Sequence, residues 1–225
     1  MALQTIQNRG LWKSNVRVFN LSDDDNDECW RNIPSPFICD DGLHLSGTIN
    51  WVTLSEDLSA VGGSLKPSTP HVNFFHIVSL DLSTETYTQL LLPKGFDDVP
   101  CAEPNLQVLL DCLCFSHDFR KTEFVLWQMK EFEVQESWTR LFRIRYVDLQ
   151  MRNLPIDVKY LDESPLVPLY ISKSRDTVIL TNEEDEAAII YSQRDTRADR
   201  ARISNKIHWF SAIDYVESLV PTPWK

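Results

Sequence analysis

Apolar and polar residues alternate through Leu45-Ser46-Gly47-Thr48-Ile49-Asn50-Trp51, and again from Ile77 through Asp81, Glu85 and Tyr87 to Leu92-Pro93. That is the period of a strand with one buried face. Weaker copies run over 109–142 and 169–203. A recurring unit of about 40–50 residues made of four short strands predicts a propeller blade. The first blade is expected near 43–46, 48–53, 74–82 and 87–92, the second near 106–110, 112–116, 123–130 and 138–144. The third is expected near 169–172, 177–181, 187–193 and 201–204. No stretch longer than about a dozen residues keeps a 3.6-residue period, so helix content should be low.

Ahead of these, Val16-Arg17-Val18-Phe19 alternates, 22–28 is an acidic turn, and Trp30-Arg31-Asn32-Ile33 resumes as the second arm of a hairpin. The array therefore opens on half a blade, and 206–219 reads as a last strand with a short helical end near Asp214. Closed propellers use four to eight blades, which puts this chain at or below the lower limit. The fold class expected is all-β, a partial or small β-propeller-like array of four-stranded antiparallel blades. Residues 1–15 are expected to be a lead-in, 16–220 the domain and 221–225 a tail. Partial closure of the ring is expected, with Ile207, Trp209 and Phe210 packing near the Val16–Phe19 hairpin; without it the backbone of Val16–Phe19 would be an open edge.

Charge narrows the partners. The formal net charge is −11 and the pI about 4.9, which speaks against nucleic acid and anionic membrane, because both need a basic face. No apolar run is long enough to span a bilayer, and the first twelve residues carry no signal-peptide core. Five cysteines (29, 39, 101, 112 and 114) in such a chain read as reduced thiols of cytoplasm or nucleus. The sequon Asn20-Leu21-Ser22 is read as incidental on the same ground.

The strand pairs resemble the F-box-associated interaction domain of plant F-box proteins, the group often labelled F-box/kelch-repeat. Leu45, Gly47 and Trp51 match its Leu-x-Gly-x-x-x-Trp pair, and Ile77, Asp81, Glu85, Tyr87, Leu92 and Pro93 match the next. Cys112-Leu113-Cys114-Phe115, Trp127 to Phe132, Ser137 to Phe142 and Tyr215-Val216-Glu217-Ser218-Leu219 follow in step. The family often has Gly where this chain has Asp111 and Glu133, both at expected turns. The resemblance implies a protein-substrate-binding module of SCF-type ubiquitin ligase receptors. It implies contact with the ligase adaptor only through an F-box, which the sequence before Val16 does not resemble, so the chain by itself is expected not to bind the adaptor. It implies no cofactor.

Candidate chemistry adds little. Cys112, Cys114 and His117 fall short of four tetrahedral zinc ligands, and the two cysteines read better as small apolar residues facing a core. Ser116-His117-Asp118 has the letters of a triad on neighbours that point apart, and reads as a polar turn. Asp23, Asp25 and Asp27 have alternate calcium-loop spacing but lack the glycine and the terminal glutamate. Gly62-Gly63 lacks the lysine and helix of a phosphate loop, and six glycines in all are too few for a regular kelch array. No catalytic or metal-binding residue is assigned. Gly47, Trp51, Asp81, Trp127, Trp138 and Trp209 read as structural, with Trp30 among the strand tryptophans. The binding residues expected are Phe96, Asp97 and Asp98 in the loop 94–98, and Phe119, Arg120 and Lys121 in the turn 119–122. The Gly-, Ser- and Pro-rich insert 54–72 joins them. Exposed aromatics beside arginine are the composition of interface anchors. A non-ligase protein competing for the same targets, a carbohydrate-binding module using the tryptophans, and, remotely, a propeller hydrolase are the other readings.

Overall fold

The computed structural model describes residues 2–8, 11–19, 30–35, 42–54, 75–97, 100, 103–149, 165–181 and 187–202. The insert 54–72 beyond its first residue, the acidic turn 22–28, Asp98, Trp209 and the strand and closure expected over 206–219 lie outside these residues.

Four antiparallel sheets follow one another along the chain. The first pairs β1 (Ala2–Asn8), β2 (Leu11–Phe19) and β3 (Trp30–Ser35) in that order. The next holds β4 (Leu43–Leu45), β5 (Thr48–Leu54), β6 (Phe75–Asp81) and β7 (Thr86–Leu90). Then come β8 (Asn105–Leu109), β9 (Cys112–Phe119), β10 (Glu123–Met129) and β11 (Trp138–Arg145). The last holds β12 (Val167–Ile171), β13 (Thr177–Thr181), β14 (Ala187–Ser192) and β15 (Arg197–Arg202). In every sheet spatial order equals chain order, the meander of a propeller blade. The described helix is one turn, α1 (Tyr146–Leu149), with a 3-10 turn at Gln135–Ser137.

Three expectations change. The lead-in is a strand hairpin: Asn8 pairs with Leu11 and Ala2 with Arg17. Its apolar Leu3 and Ile6 are three apart, so periodicity hid a strand that pairing with β2 creates. Val16 and Arg17 consequently lie in a central strand paired on both sides, by β1 and by β3, while Val18 and Phe19 run past the end of β1 and pair with β3. The fourth strand of the third blade starts at Arg197, earlier than expected, because the Ser192–Arg197 turn is short.

The core is a series of layers between consecutive sheets. Ile33 of the first sheet packs with Ile49, Trp51 and Leu80 of the first blade. Leu45, Phe75, Ile77 and Leu90 meet Leu113, Phe115, Val125 and Trp127 of the second blade. Cys114, Phe124, Leu126 and Phe142 then meet Val178, Leu180, Ile189 and Tyr191 of the third. A middle blade is covered on both faces, so β9 and β10 are buried almost throughout. The strand β8 touches both β4 and β12, which puts the first strands of the three blades side by side.

Candidate protein-recognition surface

The turn between β9 and β10 is built from below. Phe119 O accepts the N–H of Thr122 at 3.0 Å, and the residues between them, Arg120 and Lys121, have φ of +53° and +57°. Side-chain-bearing residues there cost about 1–2 kcal/mol each, so something must hold the turn. Asp118, 8% exposed, does so: its carboxylate accepts the Lys121 N–H at 2.8 Å and the Tyr146 hydroxyl at 2.6 Å. Tyr146 opens α1, directly after the second blade ends. The charged tip is thus anchored on buried groups of its own blade.

Arginine surrounds the ring of Phe119. The guanidinium carbons of Arg120 and Arg143 lie 5.1 and 4.9 Å from its centroid, within cation–π range. Arg143 also donates to Glu123 at 2.7 Å, and Arg145 makes a two-pronged bond to Asp148 at 2.8 Å. That bond and the charge of Asp148 raise the Arg145 pKa above its ordinary value. The structure therefore brings the expected Phe119, Arg120 and Lys121 together with Arg143, Arg145, Asp118 and Tyr146, which the sequence reading did not single out. The legible signal was Arg143-Ile144-Arg145, two cations at strand spacing on one face.

The loop after the first blade is different. Phe96 is a correction: it is 6% exposed and not a surface aromatic. Its ring meets the edges of Phe115 and His117 at 5.2 and 4.8 Å, because Gly95 takes a φ of +107° and the Phe96 N–H turns back to Pro93 O. Asp97 is exposed. The exposed tip and the buried ring belong to the same turn.

The residues read as structural sit in turns and layers. Gly47 (φ +80°) and Ser46 make the β4–β5 turn. Asp81 accepts the N–H of Ser83 at 2.7 Å and of Thr84 at 2.9 Å, and its bond from the Ser83 hydroxyl is the main reason its pKa falls to about 2. Trp51, Trp127 and Trp138 are 2, 8 and 8% exposed, so their faces are not stacking platforms for sugars. Gly42 is required beside Trp51, since a Cβ there would stand 2.5 Å from the indole nitrogen.

Ser116-His117-Asp118 is a second correction. It is not a turn but the buried end of β9. His117 Nδ1–H donates to Asp118 O at 3.0 Å, and Nε2 accepts the Trp127 indole N–H at 3.4 Å. An indole nitrogen only donates, so the ring is the neutral Nδ1–H form. Burial pushes its pKa below the ordinary value. Burial also lifts the Cys114 thiol to about 12. Among the described residues no group of three His, Cys, Asp or Glu side chains is placed to hold a metal ion, and no helix is long and apolar enough to cross a membrane.

Comparison with known proteins agrees with this architecture. A family model described as the F-box associated beta propeller domain matches residues 4–222. A curated relative from Arabidopsis thaliana, named F-box protein CPR1, is 28% identical over 121 residues, which is 51% of this chain and 26% of that protein. The matched stretch thus spans about a quarter of the relative's length, 26%.

Proposed function

Because this chain belongs to the F-box associated β-propeller domain family, we propose that it is a protein-binding module which holds the substrate of an SCF-type ubiquitin ligase receptor. The family match over residues 4–222 carries the reading, and the relative named an F-box protein supports it. The described fold adds a physical reason. Its layers are filled by side chains, and the turn 119–122 offers a ring and cations held in place, the composition of an interface anchor. The module works in cytoplasm or nucleus, where ubiquitin conjugation takes place and where Cys112 and Cys114 remain thiols.

The test is proximity labelling in plant cells with the tagged chain, followed by direct binding of each enriched protein to purified chain. The reading expects at least one protein that binds directly and is stabilised in cells when the ligase is inhibited. A complete absence of direct binders overturns it, and binders that the ligase never turns over remove its ubiquitin part.

A further inference from the structure

We propose that the layers between blades are binding sites for buried water. One molecule bridges Asn50 Oδ1 and Ser79 Oγ between the first and second blades, and water at the equivalent level binds the Gln128 amide between the second and third. Asn50 and Ser79 stand directly opposite each other on β5 and β6, on the face that Phe75 and Ile77 turn to the second blade. The Asn50 amide is fixed: its Nδ2 donates to Thr48 Oγ1 at 2.9 Å and to Leu43 O at 3.3 Å, and the Thr48 hydroxyl donates in turn to Leu45 O at 2.7 Å. That leaves Oδ1 as the amide's remaining group. Among the described residues neither it nor Ser79 Oγ has a hydrogen-bond partner.

The second blade repeats the arrangement at the same level. Asn50 is the third residue of β5 and Cys114 the third of β9, and their partners on the following strands are Ser79 and Gln128. Gln128 shares its face with Phe124 and Leu126, which pack against the third blade. Its Oε1 and Nε2 both lack a partner among the described residues, as does the hydroxyl of Ser116, two residues along from Cys114. Asn50 and Gln128 have no exposed surface, and Ser79 and Ser116 almost none. A buried polar atom without a bond costs its full desolvation, and five of them would cancel a large part of the small margin by which a domain is stable. Water meets every one of them, because it donates to the amide oxygens and accepts from the amide nitrogen and the hydroxyls. The neighbouring positions of both layers are filled by large apolar side chains such as Ile77, Phe115, Leu126 and Leu180, which limits the ligand to the size of water. Two neutral oxygens at the Asn50 site are too few to hold a hard cation.

The experiment is a crystal structure of the full purified chain at a resolution that shows ordered water, joined to a urea melt of Ser79→Ala. The expected density lies at hydrogen-bonding distance, about 2.7–3.2 Å, from both Asn50 Oδ1 and Ser79 Oγ, with a second water at the same distance from an amide atom of Gln128. In solution the side-chain amide protons of Gln128 should show nuclear Overhauser cross peaks to water. Ser79→Ala should melt at a lower urea concentration than the parent, because it removes one of the groups that hold the bridging water. A dry hydroxyl would give the opposite sign, since its removal relieves an unmet desolvation cost. A higher midpoint for Ser79→Ala overturns the proposal. So does either layer in which these atoms stand without water or bond only to protein, a result the parent chain alone can deliver.

Discussion

The indole N–H of Trp138, on the last strand of the second blade, donates to the carbonyl oxygen of Leu91 at 3.0 Å, just past the last strand of the first. One side chain thus ties two blades together through backbone, while its ring fills the layer with Phe115, 6.4 Å away between centroids. Truncation should cost both. Trp138→Ala is expected to destabilise by about 3–5 kcal/mol, as buried aromatics do, and Trp138→Phe by about 1–2 kcal/mol for the orphaned carbonyl and lost volume. Trp51→Ala should fall in the range of Trp138→Ala. Urea melts followed by tryptophan-independent far-UV dichroism check all three; melting within error of the parent would show that these rings are not in the core.

Two turns place residues with side chains in a backbone region that favours glycine. Asp111 has φ +56° and Glu133 φ +67°, the left-handed region that glycine enters freely. Asp111→Gly and Glu133→Gly should each raise stability by about 0.5–1 kcal/mol, with the larger gain at Glu133, since Asp tolerates this region better than Glu. The converse change, Gly47→Ala at φ +80°, should lower it by about 1 kcal/mol. The midpoint of denaturation reports the sign in each case.

The buried His117 gives a pH signature. Its pKa in the folded chain lies below the ordinary 6.5, chiefly through burial. Between the two values the unfolded chain holds the extra proton, so stability rises with pH there. The contribution is complete above about 6.5 and is lost as pH falls from there through the folded value. His117→Asn, which keeps a donor near the Nδ1 position, should flatten that part of the stability curve between pH 7.5 and 5.5. An unchanged slope would mean that folding leaves the His117 pKa where it stands in the unfolded chain.

Thiol reactivity should divide along the same strand. Cys114 is buried with its pKa pushed up to about 12, whereas Cys112 is only half-buried with a smaller upward displacement. Thiolate is the reacting form. Brief iodoacetamide treatment of the native chain, read by tandem mass spectrometry, should modify Cys112 first and leave Cys114 until unfolding. Equal labelling would contradict the packing of β9 between two blades.

Much of the architecture was legible because a blade repeats locally. Two-residue turns at Ser46-Gly47 and strand alternation around Trp51 are decided by neighbours in sequence, so the β4–β7, β8–β11 and β12–β14 boundaries fell close to expectation. The family resemblance rested on those same local strings and matches the family found over residues 4–222. What alternation could not decide is what covers the second face of a strand. A middle blade is sandwiched, so Ser116, His117 and Asp118 are buried in β9 although their polarity reads as a turn. Phe96 looked like a surface anchor until the layer of Phe75, Phe115 and His117 closed over it. The hairpin of β1 and β2 exists through pairing rather than pattern. The recognition tip combines both levels. Phe119, Arg120 and Lys121 were visible as composition, but their support by Asp118 and Tyr146, twenty-eight residues apart, depends on contacts that only the folded blade brings within bonding distance.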